Sequence, residues 1–382
     1  MRHDNSVLHQ ILKYIPWPAF ERLVDGHGCD KHVRRLSTKS QLIALLYGQL
    51  SGAQSLREIV TGLQSHRARL YHLGAEPVRR STLADANALR SAEVFGGLFA
   101  ALMAQAHRGL RRSVADTAYL IDSTGLKLDG RSEAWARFSA DACGAKLHVI
   151  YDAHADVPVY AALSAANVND ITPAKAMPIE AGATYVFDLG YYDYRWWAEL
   201  DAADCRIVTR FKKSTPFYLL QEHKVTPGGS ILSDRIGFLP QRQGYSRQNP
   251  FRNAVREVRV RIETGKVLRI FSNDLDASAE EIADLYKRRW GIELFFRWVK
   301  QTLKIRRFLG TSQNAVRIQI AAALIAYLLL RLAYAAQKTV HSPLAFARLV
   351  RANIMHRRRI DRLLEPEPPA QHQSQQMTLL WT

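Results

Sequence analysis

Ala118-Tyr119-Leu120-Ile121-Asp122-Ser123-Thr124 is where the chain changes character. Upstream, apolar residues recur at helical spacing; here a short β-rich run leads into an aspartate. Two more such runs, 147–151 and 157–163, are set off by polar or Gly-containing turns and predict three consecutive strands with 118–121. A helix is expected over 172–180, a strand at 184–187, a helix through 196–200 and a strand at 206–211. The order βββαβαβ places the chain in the α/β class, with a mixed sheet flanked by helices.

Towards the N-terminus, residues 6–65 read as a small helical region. Leu42, Leu45, Leu46 and Leu50 share one helical face, and Ser37 or Thr38 serves as N-cap. The basic cluster Lys31, His32, Arg34 and Arg35 precedes that helix. It reads either as part of a helix-turn-helix DNA reader or as a solvated loop beside helices packed for their own sake. A further helix is expected over 91–107. Downstream of the strands, 212–276 turns irregular, with Pro216, Pro227, Pro240 and Pro250, and closes on two alternating runs, 255–262 and 267–271. Separated by Thr264-Gly265, these predict a hairpin inside an insertion. Helical spacing resumes from Ser278 to about Arg306 and again over 318–336, and the Pro- and Gln-rich tail from Glu365 is expected to lack structure. The expected organisation is therefore a helical region 1–110, a catalytic core in two parts (111–211 and 277–340), an insertion 212–276, and a basic C-terminal segment 341–382.

Lys and Arg number 53 against 35 Asp and Glu, a formal charge of +18 that favours a polyanionic partner, nucleic acid first. Cys29, Cys143 and Cys205 are far apart and lack the close spacing of a zinc or redox motif, which fits a reducing cytoplasm. The polar start, Met1 to Asn5, lacks the apolar stretch of a signal peptide. The most apolar segment, 320–330, falls short of the roughly 20 residues that cross a bilayer and reads as a buried helix, so no membrane partner is expected.

The chemistry is carried by three acids. Asp122 and Asp188 each follow an apolar strand run, where a rigid element can aim a carboxylate into a cleft at a hard cation. Glu293 lies in Tyr286-Lys-Arg-Arg-Trp-Gly-Ile-Glu293-Leu-Phe-Phe-Arg-Trp-Val-Lys300. At about 100° per residue, Tyr286, Arg289, Glu293, Arg297 and Lys300 fall within an arc of about 80°, with Ile292, Phe295, Val299 and Leu303 on another face. Among the charged residues of 287–307, eight are basic, including Arg297 and Lys304, and Glu293 is the one acid, a balance suited to phosphate.

The spacing Tyr-x2-Arg-x3-Glu-x6-Lys resembles that of the Tyr-Arg-Glu-Lys group of bacterial insertion-sequence DDE transposases. Leu120-Ile121-Asp122-Ser123-Thr124 resembles the family's first acidic motif and Asp188-Leu189-Gly190-Tyr191-Tyr192 its second; Ser81-Thr82-Leu83-Ala84-Asp85-Ala86-Asn87 is also similar. Leu189 stands where the family often has Arg. The resemblance implies an RNase H-like core, with which the strand order agrees, a β-rich insertion before the glutamate, and cut-and-paste movement of DNA. It implies that Asp122, Asp188 and Glu293 hold Mg2+, or Mn2+ in its place, as a pair of ions about 3.5–4 Å apart astride the scissile phosphate. Tyr286, Arg289, Arg297, Lys300 and Lys304 would contact DNA, with Arg able to grip phosphate in bidentate fashion. Double-stranded DNA, as transposon ends and as target, is the implied partner. A homodimer in the DNA complex and a cytoplasmic, nucleoid-associated location are expected.

Weaker features have plainer readings. Lys146 and His148 share a strand face and are read as a surface-facing pair before one looking toward the active site, and Asn169-Asp170 as a helix cap before a group that supports a metal ligand from behind. Trp196, Trp197 and Trp298 are read as core before base-stacking, and His356-Arg357-Arg358-Arg359 as either a DNA contact or a solvated run. Two rival functions remain open at this point: a nuclease of the same core that never joins strands, and a catalytically silent DNA-binding regulator.

Overall fold

The computed structural model describes residues 5–110, 117–128, 132, 136–139, 142–243, 247–302 and 308–366. The N-terminal part is helical: α1 (Val7–Leu12), α2 (Trp17–Gly26), α3 (Thr38–Ser51), α4 (Leu56–Ser65), α5 (Arg67–Leu73), α6 (Arg80–Leu89) and α7 (Ala92–Leu110). Ser37 caps α3 by accepting the Ser40 N–H, and Gly52 ends it in the left-handed conformation at φ 78°, which a residue without Cβ adopts freely. All of α3 except Lys39 and Ser51 is buried. A helix enclosed all round cannot enter a DNA groove, so the basic cluster ahead of it belongs to an exposed loop rather than to a helix-turn-helix reader with α3 as its recognition helix.

The sheet comprises β1 (Ala118–Leu128), β2 (Arg137–Ser139), β3 (Ala142–Asp152), β4 (Val157–Ala165), β5 (Thr184–Phe187), β6 (Arg206–Arg210), β7 (Tyr218–His223), β8 (Ile231–Phe238), β11 (Val255–Arg261) and β12 (Val267–Ser272); β9 (Arg242–Gln243) and β10 (Arg247–Gln248) pair separately. β1 pairs antiparallel with β3, and β3 with β4, while β5 lies parallel between β1 and β6. This is the RNase H-like arrangement that the strand order implied. β12, β11, β8 and β7 then continue the same sheet beyond β6, so residues 212–276 extend the core sheet rather than forming a separate one. The hairpin β11–β12 turns at Gly265, φ 79°.

β1 does not stop at Ile121. Its pairing with β3 runs on to Leu128 opposite Cys143, whereas its pairing with β5 ends at Ile121 opposite Phe187. The sheet therefore splits at Asp122 and Asp188. Strand alternation serves two cores: Leu120, Val186 and Val208 face one apolar cluster, and Tyr119, Ile121, Tyr185, Phe187 and Ile207 face the other. The second is filled by Trp196 and Trp197 of α9 (Tyr194–Ala202), whose core reading holds; Trp197 stacks on Phe271 with ring centroids 4.7 Å apart. α8 (Ile171–Ala174) is shorter than the helix expected over 172–180, because Pro178 lacks the N–H that would continue it.

The expected continuous helix over 278–306 is two: α10 (Ala279–Arg288), capped by Ser278, and α11 (Trp290–Thr302). At the junction, Arg289 N–H donates to Tyr286 O and Ile292 N–H to Arg289 O, three-residue steps in place of four. Gly291 crosses β1 here, where an added Cβ would stand 3.4 Å from Leu120 Cδ1. α12 (Gln313–Ala335) is long and apolar enough to cross a membrane, longer than the 320–330 segment suggested, but 78% of its most apolar window is buried in the protein. It packs against α3, α6, α7, α11 and β4, and α13 (Pro343–Asn353) covers its end, so the N-terminal helices and the sheet share one apolar cluster.

The extended part of the sheet holds a buried ion pair between β8 and β11. Arg256 Nε and Nη2 each donate at 2.7 Å to the two oxygens of Asp234. Burial would raise the Asp234 pKa, but Arg256 and His223 overcome it and hold the carboxyl below its ordinary value. Asp234→Ala leaves Arg256 buried and unpaired and should cost about 3–5 kcal/mol, while Asp234→Leu with Arg256→Met should cost far less; urea denaturation checks both.

Candidate functional site

The split in the sheet places Asp122 and Asp188 in neighbouring positions, since their preceding residues, Ile121 and Phe187, pair across parallel strands. Asp188 begins a turn of 3-10 helix, and its Oδ1 accepts the Gly190 N–H at 2.7 Å. Asp122 Oδ1 accepts the Ser123 N–H at 2.7 Å. The break between α10 and α11 brings Arg289 over these strand ends. Its Nη2 donates to Glu293 Oε1 at 2.8 Å, and its Nη1 lies 3.5 Å from Asp122 Oδ2. One guanidinium thus bridges the acid on β1 and the acid on α11.

The electrostatics follow from that crowding. Burial pushes the Asp122 carboxyl up to about 6; Asp188 and Glu293 add to the rise, and the Ser123 N–H and Arg289 oppose it. Burial also works against the charge on Arg289, but Tyr286, Glu293 and Asp122 outweigh it and hold the guanidinium more firmly protonated than usual. The Arg289 guanidinium carbon lies 5.9 Å from the Tyr286 ring centroid, and Arg210 at the end of β6 lies at the same distance. Burial raises the Tyr286 phenol against both cations.

Tyr286, Arg289, Glu293, Asp122 and Asp188 therefore meet. Arg297 is exposed and Lys300 half-buried farther along α11, and Lys304 lies outside the described residues. Of the remaining aromatic candidates, Trp298 packs edge-on against Tyr327, in line with its core reading. Trp290, which the sequence did not single out, is 57% exposed beside Arg289. Arg358 and Arg359 of the C-terminal basic run are engaged by Asn353 and Asp361, while His356 and Arg357 are exposed.

Two plain readings are corrected. His148 is fully buried rather than surface-facing, with Nε2 2.8 Å from Ser164 Oγ. Lys146 turns to Asp170, at 3.0 Å. Asp170 precedes α8 without capping it; its side chain instead accepts from Ser123 Oγ at 3.0 Å. Strand alternation did put Lys146 and His148 on one face, but only the register of β3 against β1, with His148 opposite Ser123, brings that face to the acids.

Among the described residues, no three acidic, histidine or cysteine side chains are grouped closely enough to hold one metal ion, and Arg289 stands between Asp122 and Glu293. The donor set still suits a hard cation: carboxylate oxygens gathered with more negative charge than one guanidinium balances. Beside them the Tyr191 hydroxyl is buried against Ser123, in the field of Asp122, Asp170 and Asp188.

Comparison with known proteins bears on this site. The chain matches the transposase DDE domain over residues 115–329 and a domain of unknown function over residues 3–76. It is 38% identical over 290 residues to putative transposase y4zB of Sinorhizobium fredii, covering 75% of this chain and 80% of that protein. It is 30% identical over 264 residues to a probable transposase for insertion sequence element IS5377 of Geobacillus stearothermophilus, 68% of each chain. The piggyBac transposase synaptic complex with hairpin DNA superposes with a TM-score of 0.49 at 10% identity, over 96% of this chain and 83% of that one. Asp122, Asp188, Arg289 and Glu293 all lie within the matched domain, and with more than half its length in that match the chain belongs to the transposase DDE-domain family, the DNA-cleaving and strand-transferring enzymes of insertion sequences.

Proposed function

We propose that this transposase belongs to the Tyr-Arg-Glu-Lys group and that Asp122, Asp188 and Glu293 are its catalytic acids, the residues that would hold Mg2+ or, in its place, Mn2+. The observation that carries this reading is the Arg289 guanidinium bridging Asp122 of β1 and Glu293 of α11, with Asp188 beside Asp122 where β5 ends. The family works with a divalent metal. When bound, that metal supplies charge neutralisation at the scissile phosphate and lowers the pKa of the attacking oxygen's proton. The chain's part is to gather three carboxylates at a split in a rigid sheet. Arg289, which here holds Asp122 and Glu293, has a fork that would suit a DNA phosphate when those carboxylates hold the metal instead. Tyr286 braces Arg289 from behind, and Arg297, Lys300 and Lys304 follow the DNA backbone along and beyond α11. Water would nick the transposon end, and the resulting 3′-hydroxyl would attack target DNA at the same site. Two ends handled together call for a homodimer in the DNA complex, in a cytoplasmic, nucleoid-associated protein.

The N-terminal groove suits the DNA ends. A cavity of about 870 Å³ is lined by Lys31, Arg34 and Arg35 of the exposed loop and by Asp85, Leu89 and Arg90 of the α6 segment. Its cations are held out by a rigid base, since Arg90 donates to Gln41 and pairs with Asp30.

Three outcomes are expected. Glu293→Gln should abolish metal-dependent cleavage and joining of end-bearing DNA while end binding persists; normal cleavage by that variant contradicts the assignment, and cutting without joining by the unaltered protein favours the nuclease reading. Replacing Arg34 and Arg35 with Ala should weaken end binding and lower the salt slope by about one per lost phosphate contact. An acid with a raised folded-state pKa destabilises the fold as pH climbs from its ordinary value, 3.8 for Asp122, and the cost is complete above about 6. A bound cation removes that cost, so Mn2+ should raise the melting temperature more at about pH 7.5 than at about pH 5, a difference lost in Asp122→Asn.

A further inference from the structure

Asp122 and Ser123 are consecutive on β1 and point to opposite faces of the sheet. On one face Arg289 approaches Asp122. On the other, Ser123 Oγ donates to Asp170 Oδ1 at 3.0 Å, and the Ser123 N–H is the group that holds Asp122 Oδ1. Asp170 is itself anchored. Lys146 Nζ donates to the same Oδ1 at 3.0 Å and to Val168 O at 3.0 Å, and His148 Nδ1 stands 4.0 Å away. The other oxygen, Oδ2, looks towards Gly190: a Cβ built there would lie 3.3 Å from Asp170 Oδ2 and 3.0 Å from Asp188 Oδ1. One carboxylate therefore touches Ser123, next to Asp122 on β1, and flanks the turn that carries Asp188.

A buried polar atom points to an occupant beside it. Tyr191 is 1% exposed, its hydroxyl set against Ser123 in the field of Asp122, Asp170 and Asp188. His148 Nδ1, on a fully buried ring, has no hydrogen-bond partner among the described residues. Orphaned groups of this kind mark places where water or an ion completes the structure.

We propose that Asp170, held by Lys146 and Ser123, is a positioning residue of the active site that fixes Asp122 and Asp188 relative to one another for the cation. This rests on the assignment of Asp122 and Asp188 as metal-holding acids. Lys146 has a defined part in it. It neutralises Asp170, so a fourth carboxylate can stand beside the other acids without adding a net charge. Carboxylates that orient ligands from one shell out change metal affinity or activity by about 10–100-fold when replaced.

The test titrates Mn2+ into the full chain by electron paramagnetic resonance, alongside cleavage of end-bearing DNA at each Mn2+ concentration. Asp122→Asn should lose both Mn2+ binding at this site and cleavage at every concentration; if it keeps them, the underlying assignment fails and this inference with it. With that control behaving as expected, Asp170→Asn should bind Mn2+ about 10–100-fold more weakly and recover cleavage as Mn2+ is raised. Ser123→Ala, which removes only the hydroxyl link, should shift the Mn2+ requirement in the same direction and serves in place of Asp170→Asn should that chain not fold. Mn2+ affinity and Mn2+ requirement unchanged from the unaltered protein in both variants would overturn the proposal.

Discussion

The site is organised by the Arg289 guanidinium, set between two carboxylates that would otherwise repel. Asp122 comes from a strand and Glu293 from a helix nearly half the chain away; Asp122 is largely withdrawn from water and Glu293 is partly buried. Burial raises the Asp122 pKa, the neighbouring acids Asp188 and Glu293 add to the rise, and Arg289 offsets part of it. The excess negative charge makes the site receptive to a divalent ion. The side chain that balances it in the free protein is one whose geometry also suits phosphate.

Holding that charge in place requires stiff supports. β1 contributes a strand that stays paired with β3 after its pairing with β5 has ended, so Asp122 lies on a continuous ladder rather than on a loose end. α11 is seated from the opposite side by Phe295, which contacts Tyr151 of β3 and Tyr327 of α12. α12 is then a shared wall, buried between the N-terminal helices and the catalytic sheet. Its apolar length reflects enclosure by protein on almost every side. The basic groove at α6 and the acidic site at the sheet are thereby parts of one packed body, a useful property in a protein that must grip a DNA end and cut it.

Much of this was legible from local pattern. The strands around Asp122 and Asp188 announce themselves by short apolar runs, and Ser37 and Ser278 announce helix starts by accepting an N–H three residues on, whereas the helix expected from residue 318 in fact starts at Gln313. What escaped was whatever depends on partners distant in sequence. The extension of β1 to Leu128 is driven by pairing with β3, and the break at Arg289 accompanies the close passage of Gly291 over Leu120. For Lys146, His148 and Asp170 a surface pair and a helix cap were simpler readings than a place beside the acids; the register of β3 turns Lys146 and His148 to the face of Ser123, and Asp170 accepts from Ser123 and Lys146 there.

The sequence by itself determined the α/β class, the order of the main strands and the basic character, and it marked Asp122, Asp188 and Glu293 as candidate acids with the Tyr-x2-Arg-x3-Glu-x6-Lys spacing, because composition, alternation and motif spacing are properties of short stretches. Only the tertiary structure decided that residues 212–276 extend the core sheet, that the helix after the basic loop is buried, and that Asp170 stands behind Asp122. Each of those depends on which distant surfaces meet and in what register, and a one-residue change in strand register would turn the same side chains to the opposite face.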